Sequence, residues 1–332
     1  MNTLPVISSI VSPEAIAQFA SATYGFSDTF TCSLLKTGIN HTYRIDNNSN
    51  RYIFRLYSYN WRTKEEITEE LSLLNLLKEK NISVSSPIAD TNNEYIQEIN
   101  APEGKRFAVL FSFAPGNKIL NFSNEIHFEI GKQLARIHQL TENLELKRIT
   151  YNAEVLLSKS LENIKQFLPR DTKAMEFLLS TKPFLENEIA NADLRNIRKG
   201  IVHLDVWFDN FNISKDNTIT LFDFDFCGNG WLCLDIAYYV MQVHSTEKIE
   251  SERKDKLKSF FAGYESITKI TDEEKRLLPT LGVCLYYFYL GIQCSRFDNW
   301  SNTFINEVYM QRYVEVLIKG YYETTKNGIS FK

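Results

Sequence analysis

The chain has 332 residues, 44% of them hydrophobic, and a formal charge of −4. It can therefore bury a substantial core in two compact units, and it lacks the basic footprint of a nucleic-acid binder. The five cysteines, at 32, 227, 233, 284 and 294, are odd in number and scattered, which argues against a disulfide framework; Cys227 and Cys233 have no partner histidine at zinc-ligand spacing.

Residues 1–20 show no charged start ahead of an apolar block, and no later stretch reads as long and apolar enough to span a bilayer. A cytoplasmic protein without a membrane partner is expected. Ser12-Pro13-Glu14 opens a first helix, with Ser as cap and Pro at the first position. LLKTGINHTYRIDNNSNRYIFRLYSY then alternates and turns like a β-hairpin, with Asp46-Asn47-Asn48-Ser49-Asn50 at the tip. Inside it, Gly38-Ile39-Asn40-His41-Thr42 forms a turn with a single glycine, and Arg55 stands in the middle of an apolar strand. KEEITEELSLLNLLKEKN is an amphipathic helix with apolar residues at 67, 71, 74 and 77. Arg106 to Gly116 reads as a buried strand that breaks at Pro115-Gly116. Residues 122–140 form a helix whose apolar side carries Leu134 and His138, a position that suits a satisfied core histidine better than a ligand.

Residues 150–198 are helical and polar, with no catalytic constellation. The most informative stretch follows, Gly200 to Ala237. In HLDVWFDN, Asp205 is two residues after His203 and five before Asn210, the H-x-D-x-x-x-x-N spacing of a kinase catalytic loop. NISKDN supplies turn residues, and TITLFDFDF reads as a strand ending on Asp223. Phosphoryl transfer needs a carboxylate to orient a hydroxyl and take its proton, and divalent metal to screen phosphate charge. Asp205 suits the first task. Asn210 and Asp223 suit the second, because Mg²⁺ is satisfied by hard oxygen ligands completed by substrate phosphates.

After this stretch come a helix opened by Asp235, a helix charged on one face (251–267), and the most apolar helix of the chain, LLPTLGVCLYYFYLGIQCSRF. Arg296, Asp298 and Trp300 follow it, either rimming an acceptor site or forming a helix terminus with a packed Trp.

GIVHLDVWFDNFNI followed by ITLFDFDFCGNGWLCLDIA resembles the aminoglycoside phosphotransferase and choline kinase superfamily, with its H-G-D-x-x-x-x-N and I-D-x-x-x-x-x-x-G-x-x-x-x-D-L-A patterns; Leu204 replaces the usual Gly. The resemblance implies an α+β, protein-kinase-like two-lobed fold: a small β-rich N-lobe (1–111), a hinge (112–117) and a larger, mainly helical C-lobe (118–332). It implies Asp205 as catalytic base, Asn210 and Asp223 as Mg²⁺ ligands, His203 as a loop brace and Asp235 as a structural residue. Asp225 either approaches the metal or faces solvent. Gly38, Asn40 and Thr42 would cover nucleotide phosphates. Arg55 is either a solvent-facing edge residue or the phosphate-pairing cation, with Glu70 either fixing it or lying on a solvated face. Phe111, Ser112 and Phe113 would meet adenine, unless they form an ordinary core strand.

The expected activity is ATP- and Mg-dependent phosphorylation of a hydroxyl on a small molecule: an aminoglycoside, choline, homoserine or a sugar-like acceptor. A Ser/Thr protein kinase of the stress-response type and a nucleotide-binding pseudokinase are the alternatives.

Overall fold

The computed structural model describes residues 4–26, 30–47 and 49–329. The chain divides into two compact units, the first comprising Met1–Pro115, Thr220–Phe222 and Asp298–Asn302, the second Gly116–Ile219, Asp223–Phe297 and Thr303–Lys332.

The first unit is a sheet with a helix on each face. Helix α1 (Pro13–Tyr24) starts as expected, the Ser12 hydroxyl accepting from the Ala15 N–H. The next segment is a three-stranded meander rather than one hairpin: β1 (Thr31–Thr37), β2 (His41–Asp46) and β3 (Arg51–Leu56). At the turn after β2, the Asn47 N–H bonds the Asn50 carbonyl, while Asn48 lies outside the described residues. Helix α2 (Lys64–Glu79) and strands β4 (Pro87–Ile88), β5 (Ile96–Ala101) and β6 (Gly104–Ser112) complete an antiparallel sheet of order β1-β2-β3-β6-β4, with β5 also on β6.

Alternation along the strands decides what each face does. Tyr43 and Ile45 of β2, Phe54 and Leu56 of β3, and Ala108 and Leu110 of β6 pack with Ile16, Ala20 and Tyr24 of α1. The intervening row, Thr42, Arg55 and Val109 in register across three strands, must then face the other way. Arg55 therefore sits on an interior strand, not at an edge. Residues Thr220–Phe222 join this unit through a parallel bridge between Val84 and Leu221.

The second unit is mainly helical. Helix α3 (Asn124–Thr141) leads to a π-helical segment (Glu154–Lys159), then α4 (Ser160–Ile164) and α5 (Lys173–Ala190). Strands β7 (Lys199–Val202), β8 (Phe211–Ile213) and β10 (Gly228–Trp231) lie in this unit, β7 pairing with β10, while β9 (Ile219–Leu221) straddles the division between the units. Strand β9 is shorter than expected: it stops at Leu221, and Asp223 is left-handed (φ 65°) ahead of a 3-10 turn. Helices α6 (Cys233–Thr246), α7 (Glu250–Glu265), α8 (Asp272–Ser295), α9 (Glu307–Arg312) and α10 (Gly320–Thr325) follow.

Helices α3 and α7 meet backbone to backbone. A Cβ on Gly263 would lie 1.9 Å from the Phe128 carbonyl oxygen, and one on Gly131 would lie 2.1 Å from that of Phe260, so only glycine fits at either position. Helix α8 corrects one sequence expectation, since an 18-residue stretch within its 24 residues has a mean hydropathy of 1.4 and is long and apolar enough to cross a membrane. Yet 78% of that stretch is buried inside the protein, so the composition is accounted for by a core helix that is apolar all round.

Candidate active site

Asp205 follows β7 on a tight loop whose shape is set by buried bonds. Asp235, expected as the cap of the next helix, is not one: it lies in the first turn of α6 without a capping bond. Its carboxylate instead accepts the backbone N–H groups of His203 (2.8 Å) and Leu204 (2.6 Å). The Nε2–H of His138 donates to the same carboxylate at 3.1 Å, and His138 Nδ1 accepts from the Tyr264 hydroxyl at 2.7 Å. Arg198 in turn donates to Tyr264 at 3.2 Å and holds Glu274 by a bidentate pair at 2.9 and 2.7 Å. His138 is thus a satisfied core histidine, and the pattern that contains it supports the loop from below. His203 braces the loop from within, its Nδ1 accepting the Asp205 N–H at 3.1 Å.

Leu204 takes φ 65°, a conformation that costs an L-residue about 1–2 kcal/mol. Three contacts offset this. Its side chain is fully buried, its N–H reaches Asp235, and its carbonyl accepts from the Tyr289 hydroxyl. Apolar burial alone stabilises by about 2 kcal/mol, enough to hold leucine at a site where glycine would be unstrained.

The Asp205 carboxylate is held at both oxygens. Asn210 Nδ2 donates to Oδ2 at 2.8 Å and to the Asp205 carbonyl at 3.0 Å, and the Tyr238 hydroxyl donates to Oδ1 at 2.5 Å. Burial, then the charge and hydrogen bond of Asp205, push the Tyr238 hydroxyl far above its ordinary pKa, so it stays a donor. Because Nδ2 of Asn210 is committed to Asp205, its Oδ1 is the atom left for a cation. Asp223 tolerates the left-handed backbone because its short side chain can bond locally. The next ring, Phe224, packs edge-on against His203 with centroids 4.4 Å apart, which ties this segment to the Asp205 loop.

Asp225 is 3% exposed, so it does not face solvent; its carbonyl accepts from Arg148. Among the described residues no three His, Cys, Asp or Glu side chains form a metal-binding group. The residues that could hold a divalent ion are Asn210, through its amide oxygen, and Asp223, through its carboxylate, hard oxygen donors whose chemistry fits Mg²⁺.

In the first unit, Arg55 Nη1 meets Glu70 Oε1 at 2.9 Å, and the Tyr57 hydroxyl donates to Glu70 Oε2 at 3.1 Å. Glu70 is completely buried, so it is not on a solvated face. The guanidinium also lies 5.1 Å from the Phe111 ring centre. At the neighbouring turn, Gly38 N–H bonds the Asn40 carbonyl, and Asn40 Oδ1 accepts the Ser58 N–H at 3.2 Å. That oxygen braces the turn. A Cβ on Gly38 would make only ordinary contacts, the nearest to the Lys36 side chain at 3.5 Å, so nothing in the protein demands glycine there.

The expected adenine contacts need one correction. The Ser112 N–H bonds the Ser86 carbonyl at 2.8 Å and the Ser112 carbonyl accepts from the Ser85 hydroxyl at 2.5 Å, so Ser112 has no uncommitted N–H for a base edge. Phe111 is a buried strand residue, and Phe113 lies 5.0 Å from the Arg51 guanidinium. Sequence reasoning missed Tyr238, Tyr289, Tyr264, Arg198 and Glu274, whose partners lie 33 to 126 positions away; no local pattern signals such pairs.

The fold is that of a kinase-like phosphotransferase. The chain belongs to the phosphotransferase enzyme family, which it matches over residues 32–269. It is 28% identical to an uncharacterized protein of Synechocystis sp. over 95% of this chain and 87% of that one. It is 27% identical to a homoserine kinase of Polaromonas naphthalenivorans over 74% and 75% of the two chains. The fold is similar to that of a microcompartment-associated aminopropanol kinase (TM-score 0.77, 18% identity, 96% and 100% covered). It is also similar to the amicoumacin kinase hAmiN, solved with AMP-PNP and Ca²⁺ (TM-score 0.76, 18% identity, 95% and 98% covered).

Proposed function

We propose that the protein transfers the γ-phosphoryl group of ATP to the hydroxyl of a small amine-bearing alcohol. The observation that carries this reading is the Asp205 carboxylate, held by Asn210 and Tyr238 on a loop anchored through Asp235. Asp205 orients the acceptor hydroxyl and takes its proton as the oxygen attacks phosphorus. Asn210 and Asp223 would hold Mg²⁺, which screens the charge of the transferring phosphate. In the first unit, Arg55, fixed by Glu70, pairs with nucleotide phosphates, and the Gly38 turn covers them with Thr42. Adenine is met by Phe111 and Phe113, with its hydrogen-bonding edge on backbone past Ser112.

The acceptor class draws on the relatives: homoserine and aminopropanol each place a nitrogen near a hydroxyl. All five cysteines are thiols, which suits the proposed cytoplasmic compartment. The test is ADP release from MgATP with L-homoserine, choline, ethanolamine and 1-amino-2-propanol in turn. Acceptor-stimulated release above the water background supports the reading. No stimulation by any of them, with phosphate appearing instead in protein bands of a cell extract, would shift the acceptor to protein.

A further inference from the structure

We propose that Tyr238 and Tyr289 are positioning residues for phosphoryl transfer, Tyr238 fixing the Asp205 carboxylate directly and Tyr289 holding the left-handed Leu204 peptide that aims it. The inference rests on the reading of Asp205 as proton acceptor. Two helices far apart in sequence deliver these hydroxyls. Tyr238 on α6 donates to Asp205 Oδ1 at 2.5 Å, and Tyr289 on α8 donates to the Leu204 carbonyl. Their rings lie 5.3 Å apart, and Tyr289 also packs against Phe226 at 5.6 Å.

The geometry explains why both are needed. Leucine at φ 65° would relax toward negative φ if released. That rotation would swing the next residue, Asp205, away from Asn210 and Tyr238. The Leu204 peptide is gripped on both sides, its N–H by Asp235 and its carbonyl by Tyr289. Asp235 is itself shared with the His203 N–H and His138, whereas the Tyr289 hydroxyl grips the Leu204 carbonyl and is hydrogen-bonded to Tyr238 as well. Tyr238 then fixes one carboxylate oxygen while Asn210 Nδ2 fixes the other. The carboxylate plane is thereby set before an acceptor arrives, and such preorganisation acts on turnover rather than on nucleotide affinity.

The test is a set of full-length variants, Tyr238→Phe, Tyr289→Phe, Leu204→Gly, the Tyr289→Phe/Leu204→Gly double variant and Asp205→Asn. Each is measured for ADP release from MgATP with an equimolar mixture of the four amino alcohols above, for KM of MgATP, and for melting temperature. Tyr238→Phe is expected to lower kcat about tenfold, with KM for MgATP within about twofold. Tyr289→Phe is expected to lower kcat about tenfold in the wild-type background and less than about threefold beside Leu204→Gly, because glycine keeps the left-handed peptide without a clamp.

Equal cost of Tyr289→Phe in both backgrounds, or wild-type kcat in Tyr238→Phe, overturns the proposal; packing alone would predict additivity. Where Tyr238→Phe does not fold, the Tyr289 cycle decides. Inactive Asp205→Asn beside fully active tyrosine variants would sink this inference and leave the proton-acceptor reading standing. Fully active Asp205→Asn, or an inactive wild type, would defeat both.

Discussion

Glu70→Gln is the sharpest probe of the first unit. The carboxylate is completely buried and takes Arg55 at 2.9 Å and the Tyr57 hydroxyl at 3.1 Å. The amide keeps the shape and one acceptor oxygen but removes the charge, leaving the Arg55 guanidinium, whose side chain is 10% exposed, without its counter-ion. Removing one partner of a buried pair costs about 3–5 kcal/mol. The low end applies here, because the guanidinium also lies near the Tyr57 and Phe111 rings at 5.7 and 5.1 Å. A loss of about 3 kcal/mol corresponds to about 4 °C if all 332 residues melt together, and to about 12 °C if the first unit, about 120 residues, melts by itself. Differential scanning calorimetry separates these cases. MgATP affinity should also fall, since the phosphate-pairing cation is no longer fixed. A melting point within about 1 °C of wild type with unchanged MgATP affinity would refute both the structural weight of the pair and its role in nucleotide binding.

Asp205→Asn should lower kcat by about two decades or more while MgATP still binds, read by ADP release and calorimetric titration; full activity would remove Asp205 from its role. Gly263→Ala should prevent α3 and α7 from closing, since its Cβ would fall 1.9 Å from the Phe128 carbonyl oxygen, and should cost several kcal/mol in a denaturant titration. Burial pulls His127 down to about 4, with Lys256 adding to the effect, and burial does the same to His41, with Arg106 adding. In each case the unfolded chain takes up a proton near pH 6.5 that the folded chain refuses. The stability these neutral rings contribute is therefore fully present above pH 6.5 and is lost as pH falls toward 4. Melting temperature should fall across that window, and less steeply in His127→Gln; an identical slope would refute the assignment.

The parts legible in the sequence were those that a local pattern encodes. Alternation in HTYRID and RYIFRL places Tyr43, Ile45, Phe54 and Leu56 on one face, and the same alternation puts Arg55 on the other. The helical period of α2 buries Ile67, Leu71, Leu74 and Leu77, and a period of 3.6 brings Glu70 to the same side. The pair at 55 and 70 thus follows from two periodicities, although each residue by itself also has a reading as a surface charge. The loop motif carried Asp205 and Asn210 into contact because five residues of one tight turn fix their separation.

Asp235 marks where that logic ends. An acid at a helix start has a strong local explanation, capping, and local reasoning chooses it. The structure spends that carboxylate on His203, Leu204 and His138, 31 to 97 positions away, because two buried N–H groups of a bent loop need an acceptor more than a helix end does. Tyr238, Tyr264 and Tyr289 are hidden for a related reason. An aromatic residue on an apolar helix is explained by packing before its hydroxyl is considered. Their hydroxyls become visible only when the groups they satisfy, a carboxylate, an imidazole and a strained carbonyl, are already in place. The polar scaffold beneath Asp205 is therefore a property of the tertiary fold, and variants that leave every local motif intact can still disable the loop.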